Sequence, residues 1–181
     1  MNDVEHKELE DRLWRIFSNV NDWLKVAEAK NAMLIGFNGA CIFGLSRIMD
    51  HAEGILWWCL LFACIFFGAS VLTSLTAFVP RLNGLPAGMF YDSKIKNIFY
   101  FEYLKTLSSE TLIHELDERT KKFEIPTRVK QLADQVICNS NIASRKYSYF
   151  SVAVWMTICA IGTPLIGGLL FGYWYSNQLK V

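Results

Sequence analysis

The chain has 181 residues, 52% of them hydrophobic, and carries a formal net charge of +1 at pH 7. This length allows one folding unit, or one small soluble domain joined to a membrane part, and the net charge says nothing about partners. None of the five cysteines forms a C-x-x-C pair, so neither disulfide bonds nor a zinc site is indicated. Charged residues occupy two zones and are nearly absent elsewhere, which indicates an integral membrane protein.

Residues 1–28 are expected to form an amphipathic cytoplasmic helix. Six residues recur at heptad-type spacings of 4, 3, 4, 3 and 4: Leu9, Leu13, Ile16, Val20, Trp23 and Ala27. No Gly or Pro separates this seam from the first apolar stretch, so one continuous helix from about residue 4 to 48 is predicted. Attachment to a lipid surface is the alternative that Trp14 and Trp23 favour, but seven acidic against five basic residues in 1–31 argue against it.

Three windows without a charged residue are candidates for membrane-spanning helices. They contain 27, 33 and 16 residues, at 54–80, 147–179 and 31–46. About 20 apolar residues cross a hydrocarbon core of about 30 Å. The spans are therefore predicted at about 29–48, 55–79 and 150–175, with a short external tail at 176–181. The first window is short, and a buried helix of a soluble core is its alternative.

Small residues on two of these spans indicate close helix packing. They recur every four residues along one face, at Ala32, Gly36, Ala40 and Gly44, and again in a G-x-x-x-G pair, Gly168 and Gly172. Such faces let helices approach closely in lipid. The partner is either another helix of the same chain or a second subunit.

Asn38 is the strongly polar side chain of the first span, and Pro164 interrupts the third. An amide inside lipid needs a partner, so Asn38 is expected to face protein. A hydrogen bond between helices is the favoured role, and a place in a pore or gate is the alternative. Pro164 is expected to kink its helix.

The distribution of Lys and Arg predicts the orientation in the membrane. Residues 1–31 carry five and residues 80–149 carry eleven, whereas the loop 50–53 carries none. The positive-inside rule then places the N-terminus and 80–149 in the cytoplasm and the C-terminus outside. We expect a multi-pass protein of the cell inner membrane, in contact with the lipid bilayer.

Residues 80–149 are expected to form a small helical cytoplasmic sensing domain. The run 97–104 is either a strand or a helical turn. A helix is predicted from Ser108 or Ser109 to near Lys122, with its charges in solvent, and a second from Thr127 into the last span. Pro126 separates the two.

Neither a catalytic motif nor a metal-binding motif occurs in the sequence, so no enzyme is predicted. Cations gather beside an aromatic residue near the predicted cytoplasmic membrane face: Arg81, Lys94, Lys96, Arg145, Lys146 and Tyr147. Such a group can hold a phosphate and stack a base. It can equally lie beside lipid headgroups, which composition alone favours.

Four segments resemble one family. Residues 27–40 read AEAKNAMLIGFNGA and resemble the pattern A-D/E-x-K-x-x-x-L-x-x-x-N, with Glu28 where the family commonly has Asp. Residues 79–81 read VPR, residues 97–101 read NIFYF, and residues 142–147 read IASRKY. These segments are similar to the transmembrane effectors of pyrimidine-cyclase (Pycsar) antiphage systems.

The resemblance implies an antiviral defence effector that a cyclic pyrimidine mononucleotide, cyclic UMP or cyclic CMP, activates. A partner cyclase would supply the nucleotide, and the effector would impair the membrane and cause abortive infection as a homo-oligomer. By position, the nucleotide-binding candidates are Arg81, Asn97, Lys146 and Tyr147, and the coupling candidates are Glu28, Lys30 and Asn38. No cofactor and no nucleic-acid partner is expected. The alternatives are a constitutive structural or assembly subunit of a membrane complex, and a small channel or transporter.

Overall fold

The structure, a computed structural model, describes residues 3–79, 96–118, 120 and 125–178. Its helices in chain order are α1 Asp3–Met49, α2 Gly54–Thr76, α3 Phe101–Leu104, α4 Ser109–Leu116 and α5 Thr127–Gln178. Because these described ranges contain helices and no strand, the predicted all-α fold class is confirmed.

Three of these helices are long and apolar enough to cross a membrane, as the sequence predicts. They are α1, α2 and α5. Helix α1 is continuous from Asp3, which confirms that the amphipathic seam leads directly into the first span. Helix α5 begins after Pro126, whose carbonyl accepts the Lys130 amide at 3.2 Å. Proline suits this position because the first turn of a helix does not use its missing amide hydrogen. Pro164 lies inside α5, which continues beyond it, and the kink stays a prediction.

The chain divides into two compact units. The helical unit comprises Met1–Glu28 and Arg81–Ser148, and the membrane unit comprises Ala29–Pro80 and Tyr149–Val181. The division falls inside α1 and α5, so each of these helices contributes one segment to either unit.

A hydrophobic core of α1, α3, α4 and α5 residues forms the interior of the helical unit. Its buried members are Leu9, Leu13, Ile16, Val20, Leu104, Leu112, Ile113, Val129, Ala133 and Val136. The α1 members belong to the predicted seam, and Ala27 is buried as well. Trp23 departs from the seam, because 37% of its surface is exposed. Each fully buried Leu or Ile contributes about 1.5–3 kcal/mol, so this core stabilises the unit strongly.

Helix α4 begins as the sequence predicts. The hydroxyl oxygen of Ser108 caps it by accepting the Thr111 amide at 3.1 Å. The interpretation of this helix as a solvated surface holds only for its charged face, since Leu112 and Ile113 are fully buried.

The predicted end of α4 near Lys122 is wrong, because the helix ends at Leu116. Asp117 adopts an extended backbone, and its carbonyl accepts the Thr120 hydroxyl at 2.6 Å. His114 Nδ1 lies 2.7 Å from the same hydroxyl, so a polar turn replaces the next helical turn. The aromatic run 97–104 resolves as the single helical turn of α3.

The buried face of α2 defines the interior of the membrane unit. Its members recur at spacings of three and four residues, at Leu60, Ala63, Phe67, Ser70 and Ser74. The predicted small-residue faces lie elsewhere: Gly36, Ala40, Gly44, Gly168 and Gly172 are exposed within one chain. A Cβ atom added at any of these four glycines would meet no atom within 4 Å. Their role in helix packing stays a prediction, and these surfaces remain accessible to a second subunit.

Close approach of helices instead occurs at Gly167, which is buried. A Cβ atom there would lie 2.6 Å from Cys59 Sγ and 2.9 Å from Cys59 Cβ. We therefore expect Gly167→Ala to lower the free energy of unfolding by about 1–3 kcal/mol, as overpacked interiors do. Thermal unfolding in detergent measures the change. Gly168→Ala is the matched control, and equal stability of the two variants would contradict the packing of α2 against α5 at this glycine.

Candidate functional site

A buried hydrogen-bond network joins three helices of the membrane unit around Asn38. The amide nitrogen Nδ2 donates to Ser70 Oγ at 2.7 Å, and Oδ1 accepts the Thr157 hydroxyl at 3.0 Å. Ser70 donates in turn to the Ala153 carbonyl at 2.7 Å. Asn38 and Ser70 are fully buried, and Thr157 is nearly so. Asn38 thus faces protein and bonds across helices.

An ion pair between α1 and α5 lies in the helical unit. Lys146 Nζ donates to the Glu28 carboxylate, and these two residues are 118 positions apart in the sequence. The Lys146 side chain is 16% exposed and that of Glu28 is 44% exposed. The structure therefore brings together a nucleotide-binding candidate and a coupling candidate, with one partner shielded and the other reachable from solvent.

Four aromatic rings cluster within the same unit. The Tyr147 ring stacks on Phe101 with centroids 5.1 Å apart and an interplanar angle of 13°. Trp23 packs against both, at 6.2 Å from Tyr147 and 5.8 Å from Phe101, and Tyr100 lies 6.4 Å from Trp23. Phe101 is buried, whereas Trp23 is partly exposed. The cluster presents an accessible aromatic edge on the residue next to the Lys146 pair in sequence.

A second ion pair in the helical unit is almost fully buried. The Lys105 and Glu102 side chains are 13% and 7% exposed and pair with each other. Both also bond to the fully buried Ser144 hydroxyl: Lys105 Nζ donates to it at 2.9 Å, and it donates to Glu102 Oε1. This polar group joins the α3 segment to α5, three residues before Tyr147.

The remaining sequence candidates have different surroundings. Asn97 is exposed and accepts the Phe99 amide at 2.9 Å, while Asn19 Nδ2 donates to the Phe99 carbonyl at 2.6 Å. Asn97 thus shapes the turn that leads to the aromatic cluster. Lys30 lies in the membrane unit with Nζ 5.7 Å from the Phe150 ring centroid. Arg81 lies outside the described residues.

Charges elsewhere on the helical unit are exposed and perturb one another only locally. A hydrogen bond from Lys130, 2.8 Å away, holds the pKa of Glu110 below its ordinary value. The hydrogen bond that Tyr103 donates to Glu115 at 2.7 Å raises the pKa of the phenol. Among the described residues no group of three or more His, Cys, Asp or Glu could hold a metal ion. The chemistry available here is recognition of an anion and a planar ring.

Comparisons with known proteins give the family. Residues 12–173 match the family described as "Pycsar effector protein domain". The chain is a member of the Pycsar effector family. It is 30% identical over 138 residues to the "Pycsar effector protein PtPycTM" of Propioniciclava tarda, which covers 74% of this chain and 66% of the relative. The match thus spans just under two thirds of the relative's length, and no solved structure matches.

Membership of the Pycsar effector family confirms the resemblance that the four sequence segments predict. It supports a role as an antiphage defence effector, and the three apolar helices support a membrane protein. The matched range includes all four segments.

Several residues of the site were not singled out from the sequence. Trp23 was assigned to a hydrophobic seam, and Glu102, Lys105 and Ser144 were given no role. Ser144 lies inside the quoted segment 142–147, which was the available signal. Nothing in the sequence indicates that Glu102 and Lys105 are buried, because a charged residue is normally exposed.

Proposed function

We propose that this Pycsar effector is a homo-oligomer of the cell inner membrane that a cyclic pyrimidine mononucleotide activates to impair the membrane. The Glu28–Lys146 ion pair beside the aromatic cluster carries the proposal, because it offers both chemistries that such a ligand needs. The N-terminus and residues 80–149 would face the cytoplasm, where a partner cyclase releases the nucleotide. Loss of membrane integrity would then end the infected cell's life before the phage matures.

Lys146 is the proposed phosphate contact. A cyclic mononucleotide has one negatively charged phosphodiester, which can replace the Glu28 carboxylate at Lys146 Nζ. The exchange exposes no unpaired charge on Lys146, and the displaced Glu28 carboxylate is already partly exposed to water. Binding would therefore release α1 from α5 at low cost.

The aromatic cluster is the proposed base contact. Base-on-ring stacking contributes about 1–3 kcal/mol per base. Trp23 offers the accessible surface, since Tyr147 and Phe101 already stack on each other. A ligand held by Lys146 and Trp23 would contact α1 and α5 of one unit at once. It shifts the effector between states only through its differential affinity for them.

Leakage from liposomes that hold the purified full chain tests the proposal. Cyclic UMP, cyclic CMP, cyclic AMP and cyclic GMP are titrated separately, and efflux of K⁺ and of a carboxyfluorescein dye is followed. We expect one cyclic pyrimidine nucleotide to trigger efflux, and linear UMP or CMP to leave the liposomes intact. Calorimetry on the detergent-solubilised protein measures binding directly.

The alternative of a constitutive structural subunit predicts the opposite results. Neither efflux nor binding with any of the four cyclic nucleotides would overturn the proposed function and leave that alternative ahead. Efflux without any nucleotide would favour the small channel.

A further inference from the structure

Five polar side chains are buried inside the membrane unit. They are Asn31, Asn38, Ser70, Ser74 and Thr157, each at most 6% exposed. Polar side chains within membrane helices face the bundle interior or a water-filled cavity, because lipid cannot satisfy them. Three hydrogen-bonded members of this set would suffice to hold the helices together, so the additional buried polar residues need another explanation.

The polar residues occupy one half of the unit's interior. On α1, Asn31 precedes Asn38 by about 10 Å of helix. On α2, which runs in the opposite direction, Ser74 lies one turn beyond Ser70. All therefore lie toward the ends of the helices at residues 29, 79 and 149, away from the loop 50–53.

The other half of the interior is apolar. Ala63, Phe67 and Ala160 form a buried cluster there, against which Cys41, Ile42 and Leu45 pack. Phe67 lies one turn from Ser70 and is 3% exposed, so its ring follows directly after the Asn38 network. The interior thus changes from polar to apolar at one level.

Ser74 points to water in the polar half. Its hydroxyl is fully buried and has no hydrogen-bond partner among the residues that the structure describes. Ser70, one turn away, bonds with Asn38, Ala153 and Thr157. A buried hydroxyl without a partner costs about 1–3 kcal/mol, and a water molecule in a polar recess removes that cost.

We propose that the polar half is a water-filled recess and that Phe67, with Ile42 and Leu45, is a hydrophobic gate that closes it. In the activated state small ions pass between the three helices of a single chain. Apolar constrictions of this kind block ions by excluding water, and they conduct once they widen. The inference rests on the proposed function, for which it supplies the route of leakage.

Removing the gate side chain tests the inference. Phe67→Ala is expected to make liposomes leak K⁺ without any nucleotide, while retaining a dye too large for a path between three helices. Phe66→Ala is the matched control, because this neighbouring ring is 39% exposed at the outside of the unit. Equal leakage of the two variants, or release of dye together with K⁺, would overturn the gate.

Cysteine accessibility tests the recess in a chain that keeps Phe67. Ser74→Cys, Leu72→Cys and Ala63→Cys are made in a background in which all five native cysteines are replaced by alanine. A charged thiol reagent attacks the thiolate, which forms in water and not in lipid, so Ser74→Cys should react about tenfold faster or more than Leu72→Cys. Leu72 is 66% exposed toward the lipid side, and Ala63 is buried beyond Phe67. Ala63→Cys should react only after Phe67→Ala is added.

The outcomes separate this inference from the proposed function. Nucleotide-triggered leakage in the wild-type chain, with Ser74→Cys as unreactive as Leu72→Cys, would overturn the recess and leave the function standing. Absence of any nucleotide response, with K⁺ leakage in Phe67→Ala and a reactive Ser74→Cys, would support the recess and overturn the nucleotide trigger.

Discussion

Replacing Lys146 by glutamine is expected to raise the nucleotide concentration that half-activates leakage by about 10- to 150-fold. A hydrogen bond to a charged group contributes about 1.5–3 kcal/mol, which corresponds to that range of affinity. The amide of glutamine keeps a donor but removes the charge that attracts the phosphate. Dye and K⁺ efflux at increasing cyclic nucleotide measure the effect.

Lys25→Gln is the matched control, because Lys25 forms an exposed α1 ion pair with Asp22 that the proposal does not use. Its activation curve should coincide with that of the wild type. The exchanged pair Glu28→Lys with Lys146→Glu distinguishes a binding role from a structural one. If Lys146 only holds α1 to α5, the exchange restores activation; if it holds the phosphate, the exchanged variant folds and stays weakly responsive. Full recovery of the response would therefore contradict the phosphate contact.

Lys105→Met is expected to lower the free energy of unfolding by about 3–5 kcal/mol. The change leaves the Glu102 carboxylate buried without its cation, and a buried charge that loses its partner is strongly destabilising. Ser144 alone cannot compensate, since its hydroxyl supplies a single hydrogen. Urea titration of the full chain in detergent, followed by the helical circular dichroism signal, measures the loss.

Two further variants make this result specific. Lys105→Met combined with Glu102→Gln removes both charges and should recover most of the stability, because a neutral amide can still bond to Ser144. Lys130→Met breaks the exposed pair with Glu110 and should change stability little. Equal losses in Lys105→Met and Lys130→Met would show that the Lys105–Glu102 pair is hydrated in solution.

The proposed mechanism also accounts for assembly. Converting a population of 1:99 into 99:1 takes about 5.5 kcal/mol of differential binding. Several subunits that bind together supply this more easily than one. The exposed small-residue faces that include Gly36 and Gly168 are available for such contacts, and homo-oligomerisation remains a prediction of the proposal.

Much of the fold could be predicted from the sequence because its signals are local. A span is determined by the length of an uncharged segment against the thickness of the lipid core. The continuity of α1 followed from the absence of Gly and Pro at the junction near residue 28. The start of α4 followed from Ser108 as a cap, which depends on a neighbour three residues away. The family segments were also local, and they were sufficient to indicate the family.

The tertiary structure decided which side chains oppose one another, because periodicity gives the face of a helix but not the residue that meets it. Glu28 and Lys146 are 118 positions apart, and no local pattern indicates that they pair. For the same reason Gly167 approaches Cys59 while Gly168 contacts nothing, although the G-x-x-x-G spacing favoured Gly168. The buried Lys105–Glu102 pair and the aromatic cluster around Trp23 likewise depend on distant elements meeting. The sequence by itself therefore determined the helices, their spans and the family, and tertiary packing alone determined the candidate site.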